Sequence, residues 1–434
     1  MTSKIRGYLP LLLIMLVLHP SLVATAEETA PNQLTPEQIV EGWISLFDGE
    51  TLFGWTPTSK ANWKVEEGAI AVSEGEQGFL MTNSEFGDYE LHVEFKAPAT
   101  TNSGVFLRTP LKPTDPAKDC YELNIAPEDN PFPTASLVAR HKWEMPWTSY
   151  PPLSTLEESA APLPSGLKEG WFPLMVRVEG DIVKVRYLDS KDYEYEYVDP
   201  TGLRRGRIGL QFREGPVAFR NVRLKPLGLQ PMLNGKDLAG WNDDQKKTST
   251  FAVTPEGELR VTNGSGQLES DATYGDFTMQ FETRVDGDGL NSGVFFRCIP
   301  REYMNGYECQ ISNKITDGDP TKPTDFGTGA IYRRIPARRV NARDHEWFTT
   351  TLVATGPHIA VWVNGLQVTD WTDTRAPHDN PRNGLRTAAG TISLQGHDPT
   401  TDIRFRNMRI GELPGNTNHQ GPKAQSEDTK KGSE

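Results

Sequence analysis

The chain repeats itself once, and that constrains its fold more than any other feature. The block 45–55, which reads SLFDGETLFGW, returns at 231–241 as PMLNGKDLAGW, and 86–95 returns at 274–283 around Gly-Asp-Tyr and Gly-Asp-Phe. Asn102, Ser103, Gly104, Val105, Phe106 and Arg108 match Asn291, Ser292, Gly293, Val294, Phe295 and Arg297. Phe219-Arg220-Asn221 matches Phe405-Arg406-Asn407. Four blocks in one order at an offset of 186 to 189 positions mean two duplicated domains, not a short-period solenoid. The copies span 43–227 and 230–413, with Pro226 and Gly228 punctuating the join.

Within each copy the hydrophobic period is two. Tyr89, Leu91, Val93 and Phe95 alternate with Glu90, His92, Glu94 and Lys96, and Phe277, Met279 and Phe281 alternate with Thr278, Gln280 and Glu282. Such alternation marks strands with one face on a core. The stretch 359–363 is apolar throughout and reads as a strand covered on both faces. Asp48-Gly49, Asn234-Gly235 and Asn364-Gly365 supply turns. No long helical pattern competes, so the class is all-β: two tandem sandwiches, each of two packed antiparallel sheets.

The flanks lie outside the repeat. Lys4 and Arg6, an apolar run over 9–18 and Ala24-Thr25-Ala26 form a signal-peptide pattern over 1–26. The expected location is therefore exported, periplasmic or secreted. A short helix is expected after Thr35-Pro36-Glu37, and 414–434 reads as a disordered tail. No later stretch is long and apolar enough for a transmembrane segment. A net charge of −13 gives no pull on phosphate backbones and argues against a nucleic-acid partner. Three cysteines make no disulfide framework; Cys298 and Cys309 are either a cross-strand pair or two small buried side chains.

The motif order (Leu-Phe-Asp-Gly…Gly-Trp, Gly-Asp-Tyr/Phe, Asn-Ser-Gly-Val-Phe-Phe-Arg, Gly-Tyr-Glu-Cys-Gln-Ile, Asn-Gly, Phe-Arg-Asn) resembles the 3-keto-disaccharide hydrolase family, also described as a 3-keto-glucoside 1,2-lyase/3-keto-2-hydroxyglucal hydratase domain. The resemblance covers both copies. It implies a concanavalin A-like jelly roll and a glycoside or oligosaccharide substrate whose ring carries a ketone at carbon 3. That ketone acidifies the hydrogen on carbon 2, so a base, an electrophile near the ketone oxygen and an acid for the leaving group are required. A divalent metal ion is one way to supply the electrophile.

The second copy stays closer to the family pattern. Strict alternation puts Asn291, Gly293, Phe295 and Arg297 on one strand face, where Arg297 binds a sugar or makes an edge ion pair and Asn291 adds a polar contact. Glu308 and Gln310 share the open face of the next strand, Glu308 as base or metal ligand and Gln310 as hydroxyl ligand. Where the family carries an acidic residue after this strand, Ser312-Asn313 stand instead. Tyr332, in a Gly-Ala-Ile-Tyr segment, is a sugar platform, a proton donor or a packed aromatic. His397, in Leu-Gln-Gly-His, is a proton shuttle, a metal ligand or a surface residue. The first copy keeps Arg108 and Glu122 as sugar-binding candidates, beside Trp143 and Trp147, and has neither the Tyr nor the His. Phe-Arg-Asn recurs in both copies and reads as structural. Three readings compete: an enzyme acting through Glu308, Tyr332 and His397, a carbohydrate-binding protein without turnover, and a cell-surface scaffold.

Overall fold

Alternation decides where each strand puts its faces. The computed structural model describes residues 30–127, 129–130, 132, 134–138, 170–187, 194–199, 202–243 and 248–415. Each copy is a sandwich of two antiparallel sheets whose corresponding strands lie in the same spatial order, with Leu137–Val138 added at the edge of the first copy's smaller sheet. Tyr89, Leu91, Val93 and Phe95 enter the first core and leave Glu90, His92 and Glu94 on the other face. In the second copy Phe277, Met279 and Phe281 enter the second core. There Gln280 and Glu282 are buried too, because Gln280 donates to the Gly42 carbonyl at 2.8 Å and Glu282 is held by Arg406 and Asn407. The helix Pro36–Glu41 forms behind a Thr35 capping box.

The smaller sheet of the second copy carries the candidate site. Its strands lie in the order Trp241–Asp243, Gly266–Tyr274, Gly390–Gly396, Ser292–Cys298 and Tyr307–Ile311. One face packs on the second core through Leu268, Val294, Phe296, Tyr307, Cys309, Ile392 and Leu394. The other carries Glu269, Phe295, Glu308, Gln310, Ser393 and Gln395.

Phe-Arg-Asn makes the same structure twice. Asn221 and Asn407 take φ near 50° at a break in register, and Arg220 and Arg406 pair with Glu94 and Glu282 on the neighbouring strand, both at 2.7 Å. The side-chain amides of Asn221 and Asn407 bond the same two carboxylates. The motif buys a bulge and stitches it shut, the structural role its recurrence indicated.

The sandwiches are joined through strand His358–Val363, buried on both faces as its apolar run required. Ile359, Val361 and Val363 enter the second core, whereas Ala360 and Trp362 belong to the first. The Trp362 indole donates to the Ser45 carbonyl at 2.9 Å and its ring stands 6.3 Å from Phe86. Around it, Asn83 bonds Asp370, and Arg338 pairs with Asp48, each at 2.7 Å. The corresponding strand of the first copy, Ile182–Tyr187, carries Lys184 and Arg186 on that face, both paired with Glu194. One repeat therefore docks head to tail on the other, and the charged strand ends the series.

Cys298 and Cys309 form no disulfide. Cys309 faces the second core, whereas Cys298 clusters with Phe295 and Met304 on the opposite side of the sheet. A break in register between Phe295 and Cys298, with Arg297 at φ 50°, turns Cys298 outward and rules out the cross-strand bridge.

Candidate functional site

Neighbouring strands place the site's carboxylate. Glu308 lies opposite Phe295, and Gln310 opposite Gly293, on the ladder between Ser292–Cys298 and Tyr307–Ile311. The Glu308 side chain lies across Gly293: a Cβ there would stand 2.7 Å from Oε1 and 2.9 Å from Cγ. Glycine is thus the residue that lets this carboxylate lie down on the sheet. Glu308 is only 8% exposed. Among the described residues no donor hydrogen-bonds its carboxylate. Burial pushes its pKa up to about 7; Asp325 adds to the rise, and Arg382 and Arg333 oppose it. A carboxyl tuned to neutrality is suited to taking and giving a proton.

An irregular segment brings the next group. Residues 329–332 run along the outer edge of Tyr307–Ile311, with Gly329 donating to the Gln310 carbonyl at 2.9 Å and Tyr332 to the Glu308 carbonyl at 2.9 Å. Tyr332 is thereby fixed beside Glu308, its ring 5.2 Å from Phe326 and under the Arg333 guanidinium. Glu308, Tyr332, Arg333, Arg334, Arg382 and Asn383 line a hollow of about 310 Å³. The Arg382 Nε donates to the Met304 carbonyl at 2.8 Å, and Arg334 reaches the carbonyls of Arg333 and Arg382.

The other expected ligands divide. Asn291 and Gln310 both bond the carboxylate of Asp325, the Gln310 amide at 3.1 Å. The Gln310 Oε1 is buried without a hydrogen-bond partner. The two amides thus sit beside Glu308 on one sheet face, tied to each other through Asp325. In the first copy Glu122 lies over Gly104 as Glu308 lies over Gly293, with 3.0 Å to the corresponding Cβ position. Trp143 and Trp147 fall outside the described residues.

Arg297 and Arg108 do not reach a sugar. The bulge that strict alternation overlooks swings each into the end of its sandwich, where Arg297 is 0% and Arg108 is 1% exposed. Arg297 donates to the carbonyls of Gly275, Gly356 and Arg386 and to Asp276 Oδ1 at 2.9 Å. Arg108 repeats this on Gly87, Gly180, Leu203 and Asp88. The Asn-Ser-Gly-Val-Phe-x-Arg and Gly-Asp-Tyr/Phe motifs are therefore two halves of one internal clamp. His397 also stands apart. It is exposed, its Nδ1 2.9 Å from Asp398 in the turn after Gly390–Gly396. Ser393 lies across from Phe295, which faces Glu308. His397 follows four residues later, about 13 Å further along the strand.

The guanidiniums near Glu308 thus come from Arg333, Arg334 and Arg382, none of which sequence reading had singled out. Arg333-Arg334 follow Tyr332 directly, and that dibasic pair was the available signal; Arg382 arrives from a distant loop with no local mark. Ser312-Asn313 follow the Glu308 strand as the sequence has it, and the acidic group beside Gln310 is Asp325, at a backbone φ of 49°. A divalent cation does not fit here. Among the described residues no three His, Cys, Asp or Glu side chains gather to hold one. Three guanidiniums beside a single lining carboxylate form an anion-seeking donor set.

A curated 3-keto-disaccharide hydrolase of Bacteroides thetaiotaomicron is 32% identical over 78 residues, 15% of this chain and 27% of that protein. The chain thus matches about a quarter of that relative's length. A Parabacteroides distasonis structure provisionally named a glycosyl hydrolase is 25% identical, covering 43% of this chain and all of that one, at a TM-score of 0.35. The carbohydrate-binding module CBM66 from Bacillus subtilis is 18% identical, covering 40% of this chain and 96% of the module, at a TM-score of 0.30. The model of the 3-keto-alpha-glucoside-1,2-lyase-like domain matches twice, at residues 42–225 and 228–411, and the chain belongs to that family.

Proposed function

We propose that the second sandwich cleaves 3-keto-glycosides by elimination followed by hydration. The observation that carries this reading is Glu308: a buried carboxylate with no hydrogen-bond donor among the described residues, its pKa raised to about 7, in a hollow shared with a phenol and three guanidiniums. Glu308 takes the proton from carbon 2. The electron pair left there forms the enolate, and its charge gathers on the carbon-3 oxygen beside Arg382 or Arg333. The bond from carbon 1 to the leaving oxygen then breaks as the enolate collapses to the enone, and Tyr332 protonates that oxygen. Water adds across the enone to complete net hydrolysis. Family membership supports a glycoside as substrate.

The test is incubation of the purified protein with 3-keto-glucosides, reading free aglycone. Release by the wild type, a primary isotope effect from deuterium at carbon 2 and at least a hundred-fold loss in Glu308→Gln are expected. Binding of sugar without any release would leave a carbohydrate-recognition protein. We further propose that the chain is exported, on the basic, apolar and Ala-x-Ala pattern of 1–26, which lies outside the described residues. N-terminal sequencing of the mature protein from its native cells checks this, and an intact Met1 would refute it.

A further inference from the structure

The hollow holds more positive charge than the proposed chemistry uses. Arg333, Arg334 and Arg382 line it, and none is ion-paired to a carboxylate among the described residues. Elsewhere in the second copy Arg375 pairs with Asp373, Arg404 with Glu258 and Arg406 with Glu282, each within 3.2 Å. Against the three guanidiniums stands one lining carboxylate, Glu308, with Asp325 behind Gln310 as the next negative group. The hollow therefore keeps a surplus of one to two positive charges in a chain whose net charge is −13.

The guanidiniums are also held in place. Bonds to the carbonyls of Met304, Arg333 and Arg382 fix Arg382 and Arg334, and Arg333 lies 5.2 Å above the Tyr332 ring. A guanidinium carries five N–H donors in a planar fork, and these bonds occupy few of them. A transient enolate needs one such partner. Two or three fixed forks match a permanent anion with two or more oxygens.

We propose that this hollow selects glycosides bearing an anionic substituent, a carboxylate or a sulfate ester, on the sugar held beside Glu308. The inference rests on the elimination reading for where the sugar lies, and binding tests it without turnover. Calorimetry with unoxidised aryl glucosides, aryl glucuronides and aryl glucoside 6-sulfates separates the neutral ligand from the two anions. At least ten-fold tighter binding of one anionic ligand at low ionic strength is expected, with the advantage shrinking in salt. Arg333→Gln and Arg382→Gln, both at exposed positions, should each erase most of that preference. Glu308→Gln, which removes the opposing charge, should strengthen it. Equal affinity for neutral and anionic ligands, no measurable affinity for any, or a preference untouched by the arginine variants overturns the proposal. Turnover of neutral 3-keto-glucosides with no anionic preference would sink this inference and leave the elimination standing; anionic preference without turnover would do the reverse.

Discussion

Glu308 rests on Gly293, its Oε1 2.7 Å from the point where a Cβ would sit. The first copy holds Glu122 over Gly104 in the same way. A methyl at residue 293 would push the carboxylate off the sheet and out of register with Tyr332, while the strand itself tolerates alanine. Gly293→Ala is therefore expected to cost at least ten-fold in kcat on a 3-keto-glucoside and about 1 kcal/mol or less in stability. Steady-state kinetics beside urea denaturation checks the split. Unchanged kcat would show that the contact does not position the base.

The raised pKa of Glu308 makes two statements about pH. A general base works when deprotonated, so kcat/KM should rise through about pH 7 on its acid side. Stability runs the other way. With a folded pKa of about 7 against an ordinary 4.5, the native state binds the proton more tightly than the unfolded chain. Stability is thus lost as pH rises from about 4.5 through 7, by up to about 3 kcal/mol. Glu308→Gln removes that cost, and its gain in melting temperature over the wild type should be larger at pH 8 than at pH 5. An equal gain at both would mean the carboxyl titrates normally.

Arg297 tests the clamp. Truncation to Met leaves the Gly275, Gly356 and Arg386 carbonyls without their donor and removes the ion pair to Asp276. A loss of about 3 kcal/mol is expected in chemical denaturation, and a similar one for Arg108→Met in the first sandwich. A sugar-binding Arg297 would instead weaken substrate binding and leave stability alone.

What the sequence made legible follows from how local each signal is. Alternation is local, so the inward faces of Tyr89–Lys96 and Phe277–Val285 and the two-faced burial of His358–Val363 could be read directly. Opposite facing of Glu308 and Cys309 was legible for the same reason. A one-residue bulge is invisible to alternation, and it reversed both Arg297 and Cys298. Recurrence of Arg108 and Arg297 in both copies carried the better clue, since the diverged first copy retains its structural residues more faithfully than its Tyr or His. Arg382 reaches the hollow, and Asp325 the Gln310 amide behind it, from loops placed by tertiary packing, which no spacing along the chain encodes.

His397 separates resemblance from geometry. Its imidazole pairs with Asp398 in an exposed turn and does not line the hollow. His397→Ala should leave kcat/KM within two-fold of wild type, where Tyr332→Phe should lower kcat at least ten-fold. A large loss in the histidine variant would put the reacting centre at that end of the strand and displace the hollow as the site.

Trp362 joins the sandwiches, and the first copy shows what its loss would do. At the corresponding position stands Arg186, paired with Glu194. Trp362→Arg would press a guanidinium into the first core beside Phe86 and strip the donor from the Ser45 carbonyl. Trp362→Ala opens a cavity instead and should cost about 3–5 kcal/mol. Calorimetry is expected to resolve two unfolding transitions in Trp362→Arg in place of a single coupled one, because the largest side chain that the second sandwich puts into the first core would be gone. A single unshifted transition would show that the interface contributes no coupling and that each sandwich stands alone.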